Sequence, residues 1–393
     1  MNGVAYDFDE RVERRGTNSY KWDSAAGRDV LPMWVADMDF RTAPAVVDAL
    51  RRRVEHGIFG YVRVPDAYYA AVTRWFARRH GWSIDREWLM YTSGVVPAVS
   101  AVIKALTRPG DKVVLQTPVY NCFFSSVRNN GCEVVANPLR RVGNTYVMDY
   151  EDLERKLADP AVKMLVLCNP HNPVGRVWRR DELVRLGEAC LRHGVRVIPD
   201  EIHCELVFPG HEYVPFASLS DAFLHNSVTC LSPSKAFNIA GLQIASIVSV
   251  DDDVRRRIDR AININEVCDV NPFGIEATVA AYGEGGEWLD SLLVYLRGNY
   301  DCMVDYCARH LPDFPITELE GTYLVWMDCR AVSNDSERLE QQLLDEARLW
   351  LNAGTMYGDE GQGFMRWNIA CPRAVMLDGL ERFRRFVESR RRG

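Results

Sequence analysis

The feature that most constrains the fold is a regular alternation of short apolar strands and amphipathic helical stretches between about residue 45 and residue 250. Apolar residues at helical spacing predict helices over Ala45–Glu55, Asp66–Arg79, Val96–Leu106, Tyr120–Asn129, Asp149–Ala158 and Asp181–His193. Short apolar runs predict strands at Leu89–Thr92, Lys112–Leu115, Glu133–Ala136, Lys163–Leu167, Val195–Ile198, Val228–Leu231 and Ile244–Val250. Because strands that alternate with helices form a mostly parallel sheet with both faces covered, the sequence predicts an α/β fold.

The pattern changes after about residue 252, where strands become fewer and helical stretches longer. The elements predicted there are a helix near 286–310, a strand at Tyr323–Met327, a helix around 337–347 and a strand at Gly363–Ile369. With 393 residues, the chain is long enough for two packed domains. The division we expect is an irregular N-terminal arm over 1–43, a large domain over 44–285 and a small α+β domain over 286–393 that packs with the arm.

Composition excludes several classes of protein. The formal net charge is −7 and no basic tract is separated from acidic neighbours, so nucleic acid is not expected as a partner. No apolar run is long enough to span a membrane, and the N-terminus has no apolar signal segment. The 11 cysteines follow no repeating spacing, so we expect them to be reduced and the protein to be cytoplasmic.

Ligands of α/β sheets bind at the carboxyl ends of the strands, so the residues that follow each predicted strand are candidates for a site. Ser93 and Gly94 follow one strand and lead into a helix, whose free N–H groups and positive end suit a phosphate, although an ordinary serine cap also explains them. After Leu167, the run Asn-Pro-His-Asn-Pro-Val-Gly forms a stiff loop, because the residue before each proline is kept out of the α region. This loop is either a structural turn or a means of holding the Asn172 amide against a planar ligand.

Two acidic residues, Asp200 and Glu201, follow the strand that ends at Ile198. Carboxylates at the end of a buried strand cost desolvation free energy unless they have a partner. A protonated ring nitrogen of a ligand would be such a partner, and an acidic helix cap is the alternative interpretation.

The chain contains six lysines and takes its other basic side chains from arginine, which shortens the search for a lysine nucleophile. Lys235 is the lysine that follows a strand end among small hydroxyl residues, in Ser-Pro-Ser-Lys-Ala-Phe-Asn. The others lie in predicted helices or at the starts of strands, except Lys21, which lies in the arm and could bind substrate. Because a buried lysine has a lowered pKa and forms imines with carbonyl compounds, Lys235 is the candidate nucleophile.

Arg366 lies within a predicted apolar strand of the second domain. A buried guanidinium needs a carboxylate, which is either that of a substrate or an internal Asp or Glu. The candidates together are a phosphate site, an acid for a pyridinium nitrogen, a lysine for an imine and an arginine for an α-carboxylate. These are the parts that pyridoxal phosphate chemistry requires.

The candidate residues occur in the order typical of fold-type I pyridoxal-phosphate enzymes, and the chain resembles the aminotransferase class I/II superfamily over residues 7 to 385. Within it, the chain resembles the cystathionine β-lyase or C–S lyase branch. The matching segments are Arg-Arg-Gly-Thr-Asn-Ser-Tyr-Lys-Trp-Asp at 14–23, Pro-Met-Trp-Val-Ala-Asp-Met-Asp-Phe at 32–40 and Phe-Gly-Tyr at 59–61. The resemblance implies a large domain built on a mostly parallel, seven-stranded sheet and a smaller α+β C-terminal domain.

The resemblance also implies a role for each residue at the cofactor ring. Lys235 would hold the cofactor covalently and later move the Cα proton, and Asp200 would keep the pyridine nitrogen protonated. Tyr120 would stack on the ring, and Asn172 would donate to the ring oxygen O3′. His203 occupies the position of a tyrosine that contacts O3′ in related transaminases.

Around the ring, the resemblance implies phosphate and substrate contacts. The phosphate candidates are Gly94, Val95, Ser232 and Ser234. The position eight residues after the lysine is Gln243, where many aminotransferases have a phosphate-binding arginine, so this end of the site is less positive here. Tyr61 would reach the phosphate of a neighbouring subunit, which implies a homodimer with shared active sites. The substrate-binding candidates are Arg366, Trp34, Tyr357 and Asn172.

The branch implies a pyridoxal-phosphate-dependent C–S β-lyase that converts L-cystathionine or another cysteine S-conjugate to pyruvate, ammonia and a thiol. An aminotransferase uses the same core residues and is the first alternative. A regulatory protein that binds a transcription factor through its surface, with or without catalysis, is the second. A metal site is not expected, since His203 and Cys204 are adjacent in sequence and neighbours rarely bind one ion.

Overall fold

The computed structural model of the chain describes residues 6–25, 27–264 and 270–392. The strands among these residues are β1 (Leu31–Pro32), β2 (Leu89–Thr92), β3 (Lys112–Leu115), β4 (Glu133–Ala136), β5 (Arg140–Val142), β6 (Thr145–Val147), β7 (Val162–Cys168), β8 (Arg196–Asp200), β9 (Thr229–Leu231), β10 (Ala245–Val248), β11 (Leu324–Asp328), β12 (Leu349–Trp350), β13 (Asn352–Ala353) and β14 (Phe364–Asn368). The helices are α1 (Tyr20–Asp23), α2 (Pro44–His56), α3 (Asp66–His80), α4 (Val95–Leu106), α5 (Asn121–Asn129), α6 (Tyr150–Leu157), α7 (Arg180–Arg192), α8 (Asp221–His225), α9 (Asp252–Asn263), α10 (Pro272–Glu284), α11 (Gly286–His310), α12 (Ser336–Gln342) and α13 (Arg373–Arg392).

The central sheet has seven strands in the spatial order β2-β10-β9-β8-β7-β3-β4. Strand β10 runs antiparallel to β2 and β9, and the other neighbours are parallel, so the predicted α/β fold with a mostly parallel sheet is confirmed. Along β7, Met164 and Val166 belong to the core that includes α4, α5 and α9, whereas Leu165 and Leu167 belong to the core that includes α6 and α7. Because successive side chains of a strand point to opposite faces, both faces of the sheet are covered.

A second, antiparallel sheet follows α11 in the order β11-β14-β13. The N-terminal arm joins this part of the chain, because Leu31 pairs with Leu349 and Pro32 with Trp350 in a short parallel ladder. The arm is less irregular than its sequence indicates, since it contains α1 and β1. The division of the chain at residues 43 and 285 stays a prediction.

One helix that the sequence pattern missed, α10, lacks a clear polar face. Helix α10 buries Ile275, Ala277 and Ala281 and packs against α2 and α3, so it is apolar nearly all round and shows no helical period.

The predicted helix around 337–347 is regular only to Gln342. Wider π-helical turns continue to Ala347, and Arg348 then takes a left-handed conformation with φ of 54°.

The structure also bears on three expectations drawn from composition, which concern membrane-spanning helices, cysteine thiols and the C-terminal arginines. Among the described residues, no helix is both long and apolar enough to cross a membrane. Every cysteine within the described ranges has a free thiol. The arginines near the C-terminus lie on α13, where Arg384 and Arg385 both pair with Glu381, as expected of a solvated helix face.

Candidate active site

A cavity of about 200 Å³ lies at the carboxyl ends of β7, β8 and β9, where the start of α4 closes one end. Parallel strands present their carboxyl ends at one edge, so residues far apart in sequence meet there. The predicted site residues that line this cavity are Gly94, Val95, Tyr120, Asn172, Asp200, His203, Ser234 and Lys235. The predicted residues that lie outside its lining are Trp34, Tyr61, Ser232, Tyr357 and Arg366.

Lys235 follows β9, and its Nζ donates a hydrogen bond to the carbonyl oxygen of Ala36 at 2.6 Å. Burial lowers the pKa of this amine to about 8, helped by the positive charge of Arg366 and opposed by Asp37 and Asp200. A lysine with this pKa has a useful fraction of free amine near neutral pH, so it can act as a nucleophile or as a base.

Asp200 and Glu201 diverge at the end of β8, because neighbouring residues of a strand face opposite sides. Asp200 lines the cavity, and burial raises the pKa of its carboxyl to about 7. The side chain of Glu201 turns away from the cavity and accepts hydrogen bonds from Tyr213 Oη at 2.5 Å and Phe216 N at 2.9 Å. Of the two acids, Asp200 is therefore the one placed to share a proton with a ring nitrogen.

The end of the cavity formed by α4 suits an anion. The helix begins at Val95 with Gly94 as its cap, so its first N–H groups have no partner within the helix and the positive end of its dipole faces the cavity lining. Ser234 and Gln243 also line the cavity. The Ser232 hydroxyl instead donates to the carbonyl oxygen of Ile244 at 2.6 Å and accepts from Ser234 N at 3.1 Å, so it shapes the loop.

Arg366 is 3% exposed and lies close to the cavity. Its Nη1 donates to Asn172 Oδ1 at 3.1 Å, and its Nη2 donates to the carbonyl oxygen of Trp34 at 2.7 Å. Its Nε has no hydrogen-bond partner, and its partners in the described part of the chain are neutral oxygens rather than carboxylates. Among the described residues, Arg366 therefore does not pair with an internal Asp or Glu, which was the alternative interpretation. The guanidinium remains able to bind the carboxylate of a bound molecule.

Trp34 and Tyr357 support Arg366 and do not line the cavity. The Trp34 ring stacks on Trp350 with 4.3 Å between centroids, and its contribution to the site is its carbonyl oxygen. The Tyr357 ring lies 4.8 Å from the Arg366 guanidinium, and its hydroxyl accepts from Asn352 Nδ2 at 2.9 Å. We infer that both residues position Arg366.

Tyr120 and His203 are the aromatic residues of the cavity lining. Burial raises the pKa of Tyr120, so its hydroxyl stays protonated. Burial, together with the charges of Lys235 and Arg366, lowers the pKa of His203 to about 3, so its ring is neutral at physiological pH. His203 Nδ1 is buried without a hydrogen-bond partner in the described residues, and a bound molecule would recover the free energy that this costs.

Sequence reasoning missed Ala36 and Tyr323. The Ala36 carbonyl oxygen accepts from Tyr323 Oη at 3.0 Å as well as from Lys235, and no side-chain pattern signals a backbone acceptor. Sequence reasoning also left Lys21 as a possible substrate-binding residue. Lys21 is instead buried in an ion cluster of the arm, 2.8 Å from Asp39 and 3.6 Å from Asp37.

One group of side chains in the described ranges has the geometry of a metal site, namely His80, Cys204 and Glu205, whose ligand atoms lie within 4.8 Å of one another. Glu205 Oε1 already accepts from Trp75 Nε1 at 2.6 Å and lies 2.8 Å from His80 Nε2. Because Oε1 already has these protein partners and Oε2, which makes no hydrogen bond within the described residues, lies 3.9 Å from Arg79 Nε, we assign no ion to the group. His203, the residue considered from the sequence, is not part of it.

The fold and the site define an α/β enzyme whose cavity combines a helix start suited to an anion, a buried acid and a lysine amine, with a buried arginine beside it. The family model described as Aminotransferase class I and II matches residues 28–383, so the chain belongs to that family. This match confirms the predicted superfamily.

Similar proteins narrow the comparison. The chain is 44% identical over 382 residues to cystathionine beta-lyase PatB of Bacillus subtilis (strain 168), a match that covers 96% of this chain and 99% of the relative. Cystalysin from Treponema denticola, whose crystal structure contains pyridoxal 5′-phosphate, superposes with a TM-score of 0.95 at 33% identity and covers 98% of this chain and 100% of its own. The pyridoxal-phosphate-bound C–S lyase from Staphylococcus hominis has a TM-score of 0.91 at 32% identity, covering 97% and 99%. The predicted fold and the resemblance to the C–S lyase branch are confirmed.

Proposed function

We propose that the protein is a pyridoxal-phosphate-dependent C–S β-lyase that acts on L-cystathionine or other cysteine S-conjugates and yields pyruvate, ammonia and a thiol. The observation that carries the proposal is the juxtaposition of Lys235 with Arg366, a buried arginine whose neutral partners leave it able to bind a substrate carboxylate. Similarity to named C–S lyases and cystathionine β-lyases along nearly the whole chain supports the choice of reaction.

The cavity fits pyridoxal phosphate by the chemistry of its donors. The start of α4 with Ser234 would bind the phosphate, and Asp200 would hold a proton at the ring nitrogen. His203 Nδ1, which lacks a partner, and the Asn172 amide could bind the ring hydroxyl, while the Tyr120 ring covers one face. Pyridoxal phosphate, when bound, supplies a carbonyl that takes the substrate amino group and a ring that accepts the electron pair of the Cα–H bond.

Arg366 and Lys235 have different roles in the elimination. Arg366 binds the α-carboxylate of the amino acid through its two-pronged donor group, which orients the Cα–H bond. Lys235, once its amine is free, takes the Cα proton. The Cβ–S bond breaks as the electron pair moves to form the Cα–Cβ double bond, and the thiolate takes a proton. Water completes the release of pyruvate and ammonia.

The decisive experiment measures both products. Purified protein with L-cystathionine and no 2-oxo acid should release pyruvate and a thiol in equal amounts, and Lys235→Ala should release neither. A visible absorbance band that is abolished by borohydride, and is absent from Lys235→Ala, would verify the cofactor link independently of turnover. Amino exchange that requires a 2-oxo acid and releases no thiol would establish the aminotransferase alternative instead.

We propose in addition that two subunits share their active sites in a homodimer. Tyr61 is 95% exposed in the loop between α2 and α3, and Ile58 and Phe59 beside it are 66% and 56% exposed, a combination typical of a surface that a second copy covers. Mixing Tyr61→Ala with Lys235→Ala tests this, because a shared site regains activity in the mixed dimer. Activity of the mixture no higher than that of the separate variants contradicts sharing.

For location we propose the cytoplasm, where cysteine thiols stay reduced; the free thiols of the described cysteines support this. The hypothesis of a regulatory protein that binds a transcription factor stays a prediction. A surface role would persist in Lys235→Ala, which separates it from catalysis.

A further inference from the structure

The backbone of the arm segment over residues 34–38 lies beside the site and is bonded along its length by side chains from other parts of the chain. Each carbonyl oxygen of this segment accepts a hydrogen bond from a side chain outside it. The donors are Arg366 and Asn352 to Trp34, Asn368 to Val35, Lys235 and Tyr323 to Ala36, Asn368 to Asp37, and Asn238 and Arg14 to Met38. The amine and the guanidinium of the candidate active site are thus both held by neutral carbonyl oxygens.

Asn368 occupies a special position in this arrangement. It is the last residue of β14 and is 1% exposed, and its Nδ2 donates to the carbonyl oxygens of Val35 at 2.5 Å and Asp37 at 2.6 Å. The two hydrogens of the amide are therefore both used, and its Oδ1 accepts from Ala370 N at 2.8 Å. The two bonded carbonyls flank that of Ala36, so the peptide groups on either side of the Ala36 carbonyl are fixed.

Resting on the proposed function, we propose that Asn368 is a positioning residue that aims the Ala36 carbonyl oxygen at Lys235 Nζ and so keeps the free amine beside the substrate Cα. The amine ends a flexible four-carbon side chain, and the 2.6 Å bond to Ala36 is the hydrogen bond that restricts it. A carbonyl restrains the amine without the full charge of a carboxylate, so the amine is held and still loses its proton readily.

The charged and titratable groups that face Lys235 come from several elements. Arg366 on β14 repels the ammonium form, while Asp37 of the arm, Asp200 of β8 and Cys122 of α5 favour it. His203 is neutral and adds no charge at physiological pH. Loss of the Ala36 contact removes a charge-assisted hydrogen bond that favours the ammonium form, so the pKa of Lys235 should fall.

A matched control distinguishes positioning from simple anchoring of a loop. Asn299 on α11 is 0% exposed, and its Nδ2 donates to the carbonyl oxygens of Ile369 at 3.0 Å and Cys371 at 2.9 Å, which flank Ala370. The side-chain amide and the burial of Asn299 match those of Asn368. The Ala370 carbonyl, which lies between the two bonded carbonyls, holds no active-site group. Asn299→Ala therefore reproduces the structural cost of losing a bridging amide.

The experiment compares Asn368→Ala with Asn299→Ala in the full chain. With cofactor removed, the acetylation rate of Lys235 is followed against pH by peptide mass spectrometry. With cofactor present, kcat and KM are measured for L-cystathionine. We expect Asn368→Ala to lower the pKa of Lys235 by about one unit and kcat about tenfold, with KM changed less than about twofold, whereas Asn299→Ala changes none of these.

An unchanged pKa of Lys235 in Asn368→Ala, or equal changes in both variants, would overturn the proposal. If Asn368→Ala does not fold, Asn368→Ser, whose single hydroxyl hydrogen cannot bridge two carbonyls, is measured against the same criteria. The labelling measurement needs neither substrate nor turnover. Failure of the lyase assay therefore leaves this test intact, and thiol release with no pKa change rejects the positioning role alone.

Discussion

Replacing Arg366 with Met removes a buried charge that is held by neutral oxygens. The change deletes the bonds to Asn172 Oδ1 at 3.1 Å and to the Trp34 carbonyl oxygen at 2.7 Å. The Trp34 oxygen keeps a second donor, Asn352 Nδ2 at 3.0 Å, so only the Asn172 oxygen is left in need of a partner. Met has a similar length and fills most of the space that the guanidinium side chain leaves.

The expected cost in folding is therefore small and the cost in activity large. An unpaired buried acceptor costs about 1–3 kcal/mol, and the desolvation penalty of a charge without an acidic partner, which is of similar size or larger, disappears with it. We expect the free energy of unfolding to stay within about 2 kcal/mol of wild type. Two charge-assisted bonds to a substrate carboxylate are worth about 3–6 kcal/mol together, so kcat/KM should fall about 10²- to 10⁴-fold.

Arg176→Met is the matched comparison, because Arg176 is also 3% exposed but lies 2.7 Å from Glu182 and 3.1 Å from Glu320. Removing it takes a buried cation from two carboxylates, which keep hydrogen bonds from Arg179 N and Val177 N, and should cost about 3–5 kcal/mol. Urea unfolding gives the stabilities, and pyruvate release by folded protein gives kcat/KM. If Arg366→Met is destabilised as much as Arg176→Met, or if its kcat/KM is unchanged, Arg366 is a structural residue and our argument about the substrate carboxylate is wrong.

Other parts of the chain give three further expectations. Lys21→Met should lose about 1.5–3 kcal/mol in urea unfolding with kcat/KM unchanged, because Lys21 is buried 2.8 Å from Asp39, which keeps Arg14 as a partner at 2.6 Å. A kinetic effect without a stability effect would restore the role of Lys21 in substrate binding. The rate at which the cofactor-free chain takes up pyridoxal phosphate, measured by absorbance, should rise with pH and level off above about pH 8, because the amine of Lys235 loses its proton there. A rate that does not depend on pH would contradict this. Hydrogen bonds from two arginines, opposed by burial, lower the pKa of Asp328 to about 2. Its stabilisation is complete above the pKa of the unfolded chain and is lost as pH falls through about 2, so the Tm gap between wild type and Asp328→Asn should narrow over that range, and a constant gap would contradict the shift.

The large sheet was predictable because its strands are short, apolar and separated by amphipathic helices. Strand β7 is buried from Met164 to Cys168, which makes a continuous apolar run that no loop imitates. Helix α10 could not be found in this way, because its neighbours cover it on several sides and its sequence has no polar face. The hairpin of β5 and β6 is equally hard to recognise, since strands of three residues are too short to establish a period of two.

At the site, sequence reasoning identified side chains whose chemistry is costly where they lie, such as a carboxyl after a buried strand and a lysine at a strand end. Strand position alone could not separate Asp200 from Glu201, which required the family resemblance, and nothing in the sequence separated Ser234 from Ser232. The reason is that the distinction depends on the direction in which each side chain leaves the backbone. Glu201 turns toward Tyr213, and the Ser232 hydroxyl is occupied by the Ile244 carbonyl oxygen. Only the three-dimensional arrangement shows which member of each pair reaches the cavity.

The segment over residues 34–38 shows why the identities of its residues do not reveal its role at the site. A carboxylate in place of these backbone oxygens would pair permanently with Arg366 and would raise the pKa of Lys235, and both effects oppose the proposed reaction. Neutral carbonyl oxygens accept hydrogen bonds from Lys235 Nζ and Arg366 Nη2 at 2.6 and 2.7 Å and still let a substrate carboxylate compete for the guanidinium. Because every residue type carries the same carbonyl group, this function depends on the path of the arm, which Asn368 and Asn238 hold through their side-chain amides.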